Sequence, residues 1–297
     1  MSEPAETIDL AAAEAAVRHA IRRRNTDALQ LLGHGEISLV MAWPSQQPSS
    51  ALKRVPPFRD EARARQYIDV CEQFFQRLRV ADVAVLPTTL HLHVRSDGRA
   101  VVYHQQPIAD ARQLGTNVLR TTSPEEGHPL LLAVADAAAR VCAPTVGFDC
   151  QMANWLWDGS TATQLDFTSP FVLDESRSEL TYDSHAFLQE YPVLTRFYLK
   201  RELTSLVLRF TTPEGALGDM LANMLKEGLD DWVDPAIRTI NDRLGVQLRR
   251  ETAQEMLDND RKLLPMVLKL KKGQRWWLNH TGRSYEQLLP ERTTYER

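Results

Sequence analysis

The sequence contains little cysteine and no long apolar run. Its three cysteines, Cys71, Cys142 and Cys150, are an odd number and form no Cys-x-x-Cys pair, so we expect no disulfide framework and a reducing compartment. No stretch reaches the roughly 18 apolar residues that a membrane-spanning helix needs. The N-terminus lacks the basic segment and apolar core that are typical of a signal peptide. These absences predict a cytoplasmic protein with no membrane partner.

The sequence also has no excess of positive charge. The formal net charge is -4 over 297 residues, and nucleic-acid binding relies on a basic face, so we expect no nucleic-acid partner. Two local basic clusters occur, at Arg22–Arg24 and at Lys269–Arg275. Such clusters are typical of a solvated helix face, and the alternative is a local site for an acidic partner. The hydrophobic fraction of 43% is enough for a large core or two lobes.

Hydrophobic periodicity divides the chain into a strand-rich first part and a helical second part. Helices are predicted at 8–24, 60–79 and 128–143, and strands at 31–44, at 49–58 and on either side of an SDG turn within 88–108. From about residue 185 onward, three long segments have helical character. The predicted fold class is α+β, with a boundary near 104–110 that gives domains 1–107 and 108–297.

The strand-rich part contains a candidate phosphate site. GHGEISLV places Gly33 and Gly35 between apolar strands, where the missing Cβ lets the backbone approach a phosphate; an ordinary tight turn is the alternative. Lys53 lies in a predicted strand, so its ammonium needs a partner or a route to water. Glu72, nineteen residues further along in a predicted helix, is the expected partner, and Glu61 is the competing one.

Three polar residues stand in the segment 147–167, GFDCQMANWLWDGSTATQLDF: Asp149, Asn154 and Asp166. Asn154 and Asp166 flank a predicted hairpin, so we expect both side chains to reach one cleft. A carboxylate and an amide oxygen are ligands that suit Mg²⁺, and a second carboxylate nearby can orient or deprotonate a hydroxyl group. The alternative is the ordinary turn chemistry of aspartate and asparagine.

The order of these motifs resembles the protein-kinase-like fold, above all the aminoglycoside phosphotransferase and choline kinase family. There the catalytic loop reads roughly H-G-D-x-x-x-x-N, and I-D-F follows about a dozen residues on. This chain has G-F-D-C-Q-M-A-N at 147–154 and L-D-F at 165–167. GHGEISLV is similar to G-x-G-x-x-G-x-V, with Ser38 replacing the third glycine, and SALK stands where V-A-I-K would stand. The similarity covers about residues 31–171.

The resemblance implies a two-lobed fold, with a strand-rich N-lobe carrying one long helix and a mainly helical C-lobe. It implies an ATP- and Mg²⁺-dependent phosphotransferase that moves the γ-phosphoryl group to a hydroxyl group. The implied nucleotide-binding residues are Gly33, Gly35, Ser38, Lys53 and Gln105. The implied catalytic residues are Lys53, Glu72 and Asp149, and the implied Mg²⁺ ligands are Asn154 and Asp166.

The chain departs from the family pattern at three points, one of which is the replacement of the third glycine by Ser38. Gly147 and Phe148 precede Asp149 where the family has a histidine, and Thr168 follows Asp-Phe where many kinases have glycine. A catalytically weak pseudokinase that binds nucleotide or a partner is therefore the alternative function, and an unrelated α+β protein with chance motifs is the third. The acceptor is either a small hydroxylated molecule or a peptide serine or threonine.

Two further features have a functional and an ordinary interpretation. His91 and His93 share one strand face, but no third ligand is evident, so we expect an ordinary strand and not a zinc site. Trp276 and Trp277 lie beside the basic segment KLKKGQR. They either cap the helical part or contact a substrate.

Overall fold

The computed structural model of the chain is a mixed α+β structure, as the sequence predicted. It describes residues 8–23, 25–27, 29–34, 38–189, 191–281 and 285–286, without the side chains of 34, 263–268 and 279. The helices of the described residues are α1 (Leu10–Arg23), α2 (Glu61–Val80), α3 (Gly115–Thr121), α4 (Pro129–Val141), α5 (His185–Leu188), α6 (Val193–Phe210), α7 (Pro213–Lys226), α8 (Asp230–Leu244) and α9 (Arg250–His280). The strands are β1 (Leu31–His34), β2 (Leu39–Trp43), β3 (Ser50–Arg54), β4 (Ala84–Val85), β5 (Thr89–Val94), β6 (Ala100–Gln106), β7 (Trp155–Trp157) and β8 (Ala162–Gln164).

The chain divides into two compact units. The first contains the described residues of Met1–Arg65, Thr88–Ile108 and Arg275–Arg297, and the second contains those of Gln66–Pro87 and Ala109–Gln274. The first unit therefore holds α1 and the larger sheet. The second holds most of α2, the smaller sheet and the helices from α3 through α8. Among the described residues, no helix has the length and apolar character needed to cross a membrane.

The larger sheet has five antiparallel strands in the order β1-β2-β3-β6-β5. Gly98, with φ of 80°, closes the turn between β5 and β6, a conformation that glycine adopts without strain. Helix α1 covers the sheet with Ala13, Val17 and Ala20, which are fully buried and recur at helical spacing. The apolar periodicity at 8–24 thus packs onto the strands that follow it.

A buried ion network joins α1, the sheet and the segment around residue 286. Arg54 donates through Nε and Nη2 to both carboxylate oxygens of Glu14, at 2.8 and 2.9 Å. The Tyr103 hydroxyl donates to Glu14 at 2.6 Å, and Arg95 donates to the Glu286 carboxylate at 2.9 Å. Burial alone would raise the pKa of Glu14, but Arg54 holds that pKa below its ordinary value.

The second unit contains a small sheet in the order β4-β8-β7, in which β4 runs parallel to β8 and β7 antiparallel to it. Two of the three helical segments predicted after residue 185 are interrupted. The first is divided into α5 and α6 before Pro192, because the proline nitrogen cannot donate to a preceding helical turn. The second is divided into α7 and α8 near Gly228, whose φ of 73° is left-handed. The third forms α9, near whose end Trp276 and Trp277 are exposed.

Candidate functional site

The loop that begins at Gly147 is held by backbone hydrogen bonds to two distant segments. The Gly147 N–H donates to the Phe171 carbonyl at 2.7 Å, and the Phe148 N–H donates to the Phe210 carbonyl at 3.0 Å. A Cβ at position 147 would lie 3.0 Å from the Cβ atoms of both Phe171 and Phe210. Close packing on both sides therefore explains the glycine, and it fixes the backbone just before Asp149.

The same loop is tied to strand β8 at its other end. The Leu165 N–H donates to the Asn154 carbonyl at 2.9 Å, and the Gln164 side-chain amide donates to the Asp149 carbonyl at 3.3 Å. A 3₁₀ helix at Met152–Asn154 connects these two anchors. Strand β8 thus positions the loop and leads directly into Asp166.

Asp149 has a strongly perturbed carboxyl group. Its side chain is half-buried, and its Oδ1 accepts a hydrogen bond from the Gln151 N–H at 3.0 Å. Burial, followed by the nearby carboxylates of Asp219 and Asp166, raises the pKa of Asp149 to about 7. The Gln151 N–H and the Asn154 side chain act in the opposite direction. The result is a carboxyl group that exchanges its proton near neutral pH.

Asp219 on α7 belongs to this cluster, although the sequence motifs did not point to it. Its Oδ2 accepts from the Gln151 side-chain amide at 3.3 Å and from the Asn223 amide at 2.9 Å. Gln151 therefore contacts two carboxylates, Asp149 through its backbone N–H and Asp219 through its side chain. The available sequence signal is a pair of polar residues one helical turn apart, Asp219 and Asn223, among the apolar and small residues in the middle of α7.

Asp166 is positioned by the residue that departs from the kinase pattern. Its Oδ1 accepts from both the backbone N–H and the hydroxyl of Thr168, at 3.0 and 2.9 Å. The Thr168 carbonyl accepts in turn from the Tyr67 hydroxyl at 3.0 Å. Phe167 is buried and meets the ring of Phe75 edge-on, with 5.0 Å between the ring centroids. Helix α2 thus holds the turn that carries Asp166.

In the first unit, Lys53 lies in the middle strand of the large sheet and is buried, with 3% of its surface exposed. The strand register places it in one row with Gly33, Val40, His104 and Leu90. Residues in register point to the same face of a sheet, so Lys53 and Gly33 share a face. Gly33 is exposed, and a Cβ added there would meet no atom of the described residues within 4 Å.

The other predicted nucleotide-binding residues have different surroundings. Ser38 is buried next to the start of β2, and Gly35 lies outside the described residues. Gln105 follows His104 in β6, so it faces the side of the sheet opposite Lys53. Its Oε1 lies 2.8 Å from Nε2 of His91, and its Nε2 donates to the Ser50 hydroxyl at 3.0 Å.

Glu72 and Glu61, the two candidate partners of Lys53, both lie on α2. Glu72 is exposed and belongs to the second unit. Glu61 pairs with Arg65 one turn along the helix, at 2.5 Å. The pairing of Lys53 with Glu72 stays a prediction.

The side chains of the site can be compared with the ligands that Mg²⁺ requires. Among the described residues, no group of three or more histidine, cysteine, aspartate or glutamate side chains is arranged to hold a metal ion. Mg²⁺ sites on nucleotides commonly use one or two carboxylates, with phosphate and water oxygens as the remaining ligands. The Asp166 carboxylate and the Asn154 amide are donors of the required kind. The Mg²⁺ site stays a prediction.

Comparison with known proteins assigns the chain to a family but not to an activity. The chain belongs to DUF6206, a family of unknown function whose model matches residues 12–275. No curated protein matches it. The matched range includes every candidate residue from Gly33 to Asp219, so the possible function must be argued from the chemistry of these residues.

Proposed function

We propose that this chain is an ATP-dependent phosphotransferase with a kinase-like two-lobed arrangement. It would move the γ-phosphoryl group to a hydroxyl group of a small molecule or of a peptide serine or threonine. The observation that supports this most is the Asp149 carboxyl group, which is half-buried, lies near two other carboxylates and has a pKa of about 7. A base whose pKa is close to the working pH is well suited to accept a proton from a hydroxyl group.

The neighbouring residues have complementary roles in this proposal. Asp166, oriented by Thr168, and Asn154 would hold Mg²⁺, which supplies charge neutralisation on the phosphates when it is bound. Gln151 donates through its N–H to the Asp149 carboxylate and would keep this group oriented for the acceptor hydroxyl. Asp219 raises the affinity of Asp149 for the proton that it takes up.

The first unit would supply the nucleotide-binding groups. Lys53 is buried in the middle strand of the large sheet, and its ammonium group would contact the phosphates of ATP. Glu72 would hold Lys53, and the backbone at Gly33, Gly35 and Ser38 would cover the phosphates. The adenine would meet the backbone around Gln105, since the side chain of this residue already contacts His91 and Ser50.

The test compares Mg²⁺·ATP affinity with phosphoryl transfer in matched variants. Asp149→Asn keeps the shape of the side chain but cannot accept a proton, so it should spare nucleotide binding and lower turnover at least about a hundredfold. Asp166→Asn should weaken both, and Asn154→Ala should have an intermediate effect on metal-dependent binding. Asp231→Asn, an exposed aspartate on α8, is the control.

Transfer can be followed as ADP release, first with water and then with a panel of hydroxylated small molecules and peptides. Full turnover in Asp149→Asn would show that the catalytic base has been assigned wrongly. Tight Mg²⁺·ATP binding by the parent protein without transfer to any acceptor, including water, would favour the pseudokinase alternative.

A further inference from the structure

The start of helix α6 exposes a cluster of large apolar side chains. Val193, Leu194, Phe197 and Tyr198 are 67, 96, 84 and 60% exposed, and they fall within six consecutive positions. Residues three or four apart are neighbours on a helix, so these four form one continuous surface, the α6 patch. A helix normally turns such residues toward a core, and an exposed apolar patch of this kind marks an interaction surface.

Basic residues lie near the α6 patch. Arg201 lies one turn beyond Phe197 on the same helix face and is exposed, without an ion-pair partner among the described residues. The Lys271 ammonium lies 5.2 Å from the centre of the Tyr191 ring, which places the basic segment of α9 beside the start of α6. In that segment Lys269 and Lys272 are exposed.

The described acidic residues near this helix include Glu179 and Glu202. Glu179 pairs with Lys200 at 2.6 Å, and Glu202 is exposed one position after Arg201. The first turn of α6 has no acidic residue, and its N-cap, Pro192, provides no side-chain hydrogen bond. The partial positive charge of the helix N-terminus therefore adds to the positive potential of this region.

We propose that the α6 patch, with Arg201, Lys269 and Lys272, is a peripheral docking surface for an anionic lipid bilayer. Apolar and aromatic side chains enter the interface of a bilayer, while flanking basic residues contact the headgroup phosphates. No helix among the residues that the structure describes could cross a membrane, and this binding mode needs only a surface. This inference is independent of the proposed phosphotransfer.

A bilayer accounts for the charges better than a second copy of the chain does. In a two-fold contact between copies, the same patch faces itself, so Arg201 and the lysines of one copy would approach those of the other. Like charges brought together in this way oppose association. An anionic membrane surface offers an apolar phase and the opposite charge at the same place.

The experiment is co-sedimentation of the full chain with vesicles of phosphatidylcholine alone or mixed with phosphatidylglycerol. We expect binding only to the anionic vesicles, and weaker binding as the salt concentration rises. Phe197→Asp should lower the partition coefficient at least about tenfold, and Arg201→Gln about fivefold. Val80→Asp replaces an apolar residue at the end of α2 that is 73% exposed, and it should leave binding unchanged.

Circular dichroism and thermal melting check that the variants fold. Arg201→Gln tests vesicle binding a second time, through a charge, and leaves the apolar residues of the patch unchanged. Equal binding to neutral vesicles would overturn the assignment to anionic lipid. Absence of vesicle binding, or binding that neither variant reduces, would overturn the docking surface. If sedimentation velocity instead detects a dimer that Phe197→Asp dissociates, and no vesicle binding occurs, the patch joins two copies of the chain and the lipid proposal is wrong.

Discussion

At the scale of single residues, Asp149 links stability to pH. An unfolded aspartate loses its proton near pH 3.9, whereas Asp149 in the folded chain loses it near pH 7. Between these pH values the folded state binds more protons than the unfolded state, so the free energy of unfolding falls as the pH rises. Above about pH 7 the free energy of unfolding has lost the whole contribution of this group. Such a cost is expected if the site carries out the proposed phosphoryl transfer, because functional sites often reduce stability.

Asp149→Asn should remove this pH-dependent cost. Near pH 4 the variant and the parent protein should have similar free energies of unfolding. As the pH rises to about 7 the variant should become the more stable, by on the order of 2 kcal/mol, since partial exposure to solvent screens the charge. Urea unfolding at several pH values from 4 to 8 measures the difference. Parallel stability curves would contradict the raised pKa.

Asp219 should contribute to the raised pKa through its own charge. Asp219→Asn keeps an oxygen that can accept from Gln151 and Asn223 but removes a like charge near Asp149. We therefore expect Asp149 to titrate at a lower pH in this variant. Carboxyl ¹³C NMR of labelled aspartate follows the titration without any need for a known acceptor. An unchanged Asp149 titration would remove Asp219 from the site.

At the scale of elements, apolar periodicity located most of the structure. The helices predicted at 8–24, 60–79 and 128–143 correspond to α1, α2 and α4, and the predicted hairpins correspond to β5–β6 and β7–β8. The breaks at Pro192 and Gly228 were not predicted, because apolar residues continue at helical spacing on both sides of each break. Apolar periodicity indicates which face of a helix is apolar, but it does not show where the helix ends.

The sequence predicted the part of the candidate site that is formed by residues close together in sequence. It did not predict the part that depends on residues far apart in sequence. Asp149, Asn154 and Asp166 lie around a single hairpin, so sequence spacing alone brings them near one another. The contact between Gln151 and Asp219 joins residues 68 positions apart, and it depends on how α7 packs. No local motif encodes such a contact.

The packing of helix α3 against the Asp149 loop should depend on Gly115. A Cβ at this position would lie 2.6 Å from the Met152 carbonyl oxygen, which belongs to the loop backbone and cannot move aside easily. Gly115→Ala should therefore destabilise the chain by about 1–3 kcal/mol. The control is Gly273→Ala in α9, where nothing lies within 4 Å and the helix propensity of alanine should be neutral or favourable.

Thermal and urea unfolding of the two glycine variants measure these effects. Equal stabilities would mean that α3 and the loop can separate at little cost. If Gly115→Ala also changes the titration of Asp149, then α3 helps to set the electrostatics of the site as well as its shape.

At the scale of the whole molecule, the two units are built from interleaved segments. Helix α2 begins in the first unit and continues in the second, and the chain returns to the first unit with β5 and β6. Composition changes along the sequence cannot reveal such an arrangement, because it is defined by contacts between distant segments. The proposed function assigns both Lys53 and Asp166 to the binding of Mg²⁺·ATP, and ligand-dependent stability tests this assignment.

Mg²⁺·ATP should raise the melting temperature of the parent protein, because a ligand that binds only the native state shifts unfolding by mass action. At about one hundred times the Kd the expected gain is roughly 2.7 kcal/mol. If the proposed site residues bind the nucleotide, then Lys53→Met and Asp166→Asn should each reduce the gain, and only Asp166→Asn should reduce its dependence on Mg²⁺. Asp231→Asn should behave as the parent does. A gain that survives both substitutions would place the nucleotide elsewhere, and no gain with ATP or ADP, with or without Mg²⁺, would mean that the kinase-like motifs arose by chance.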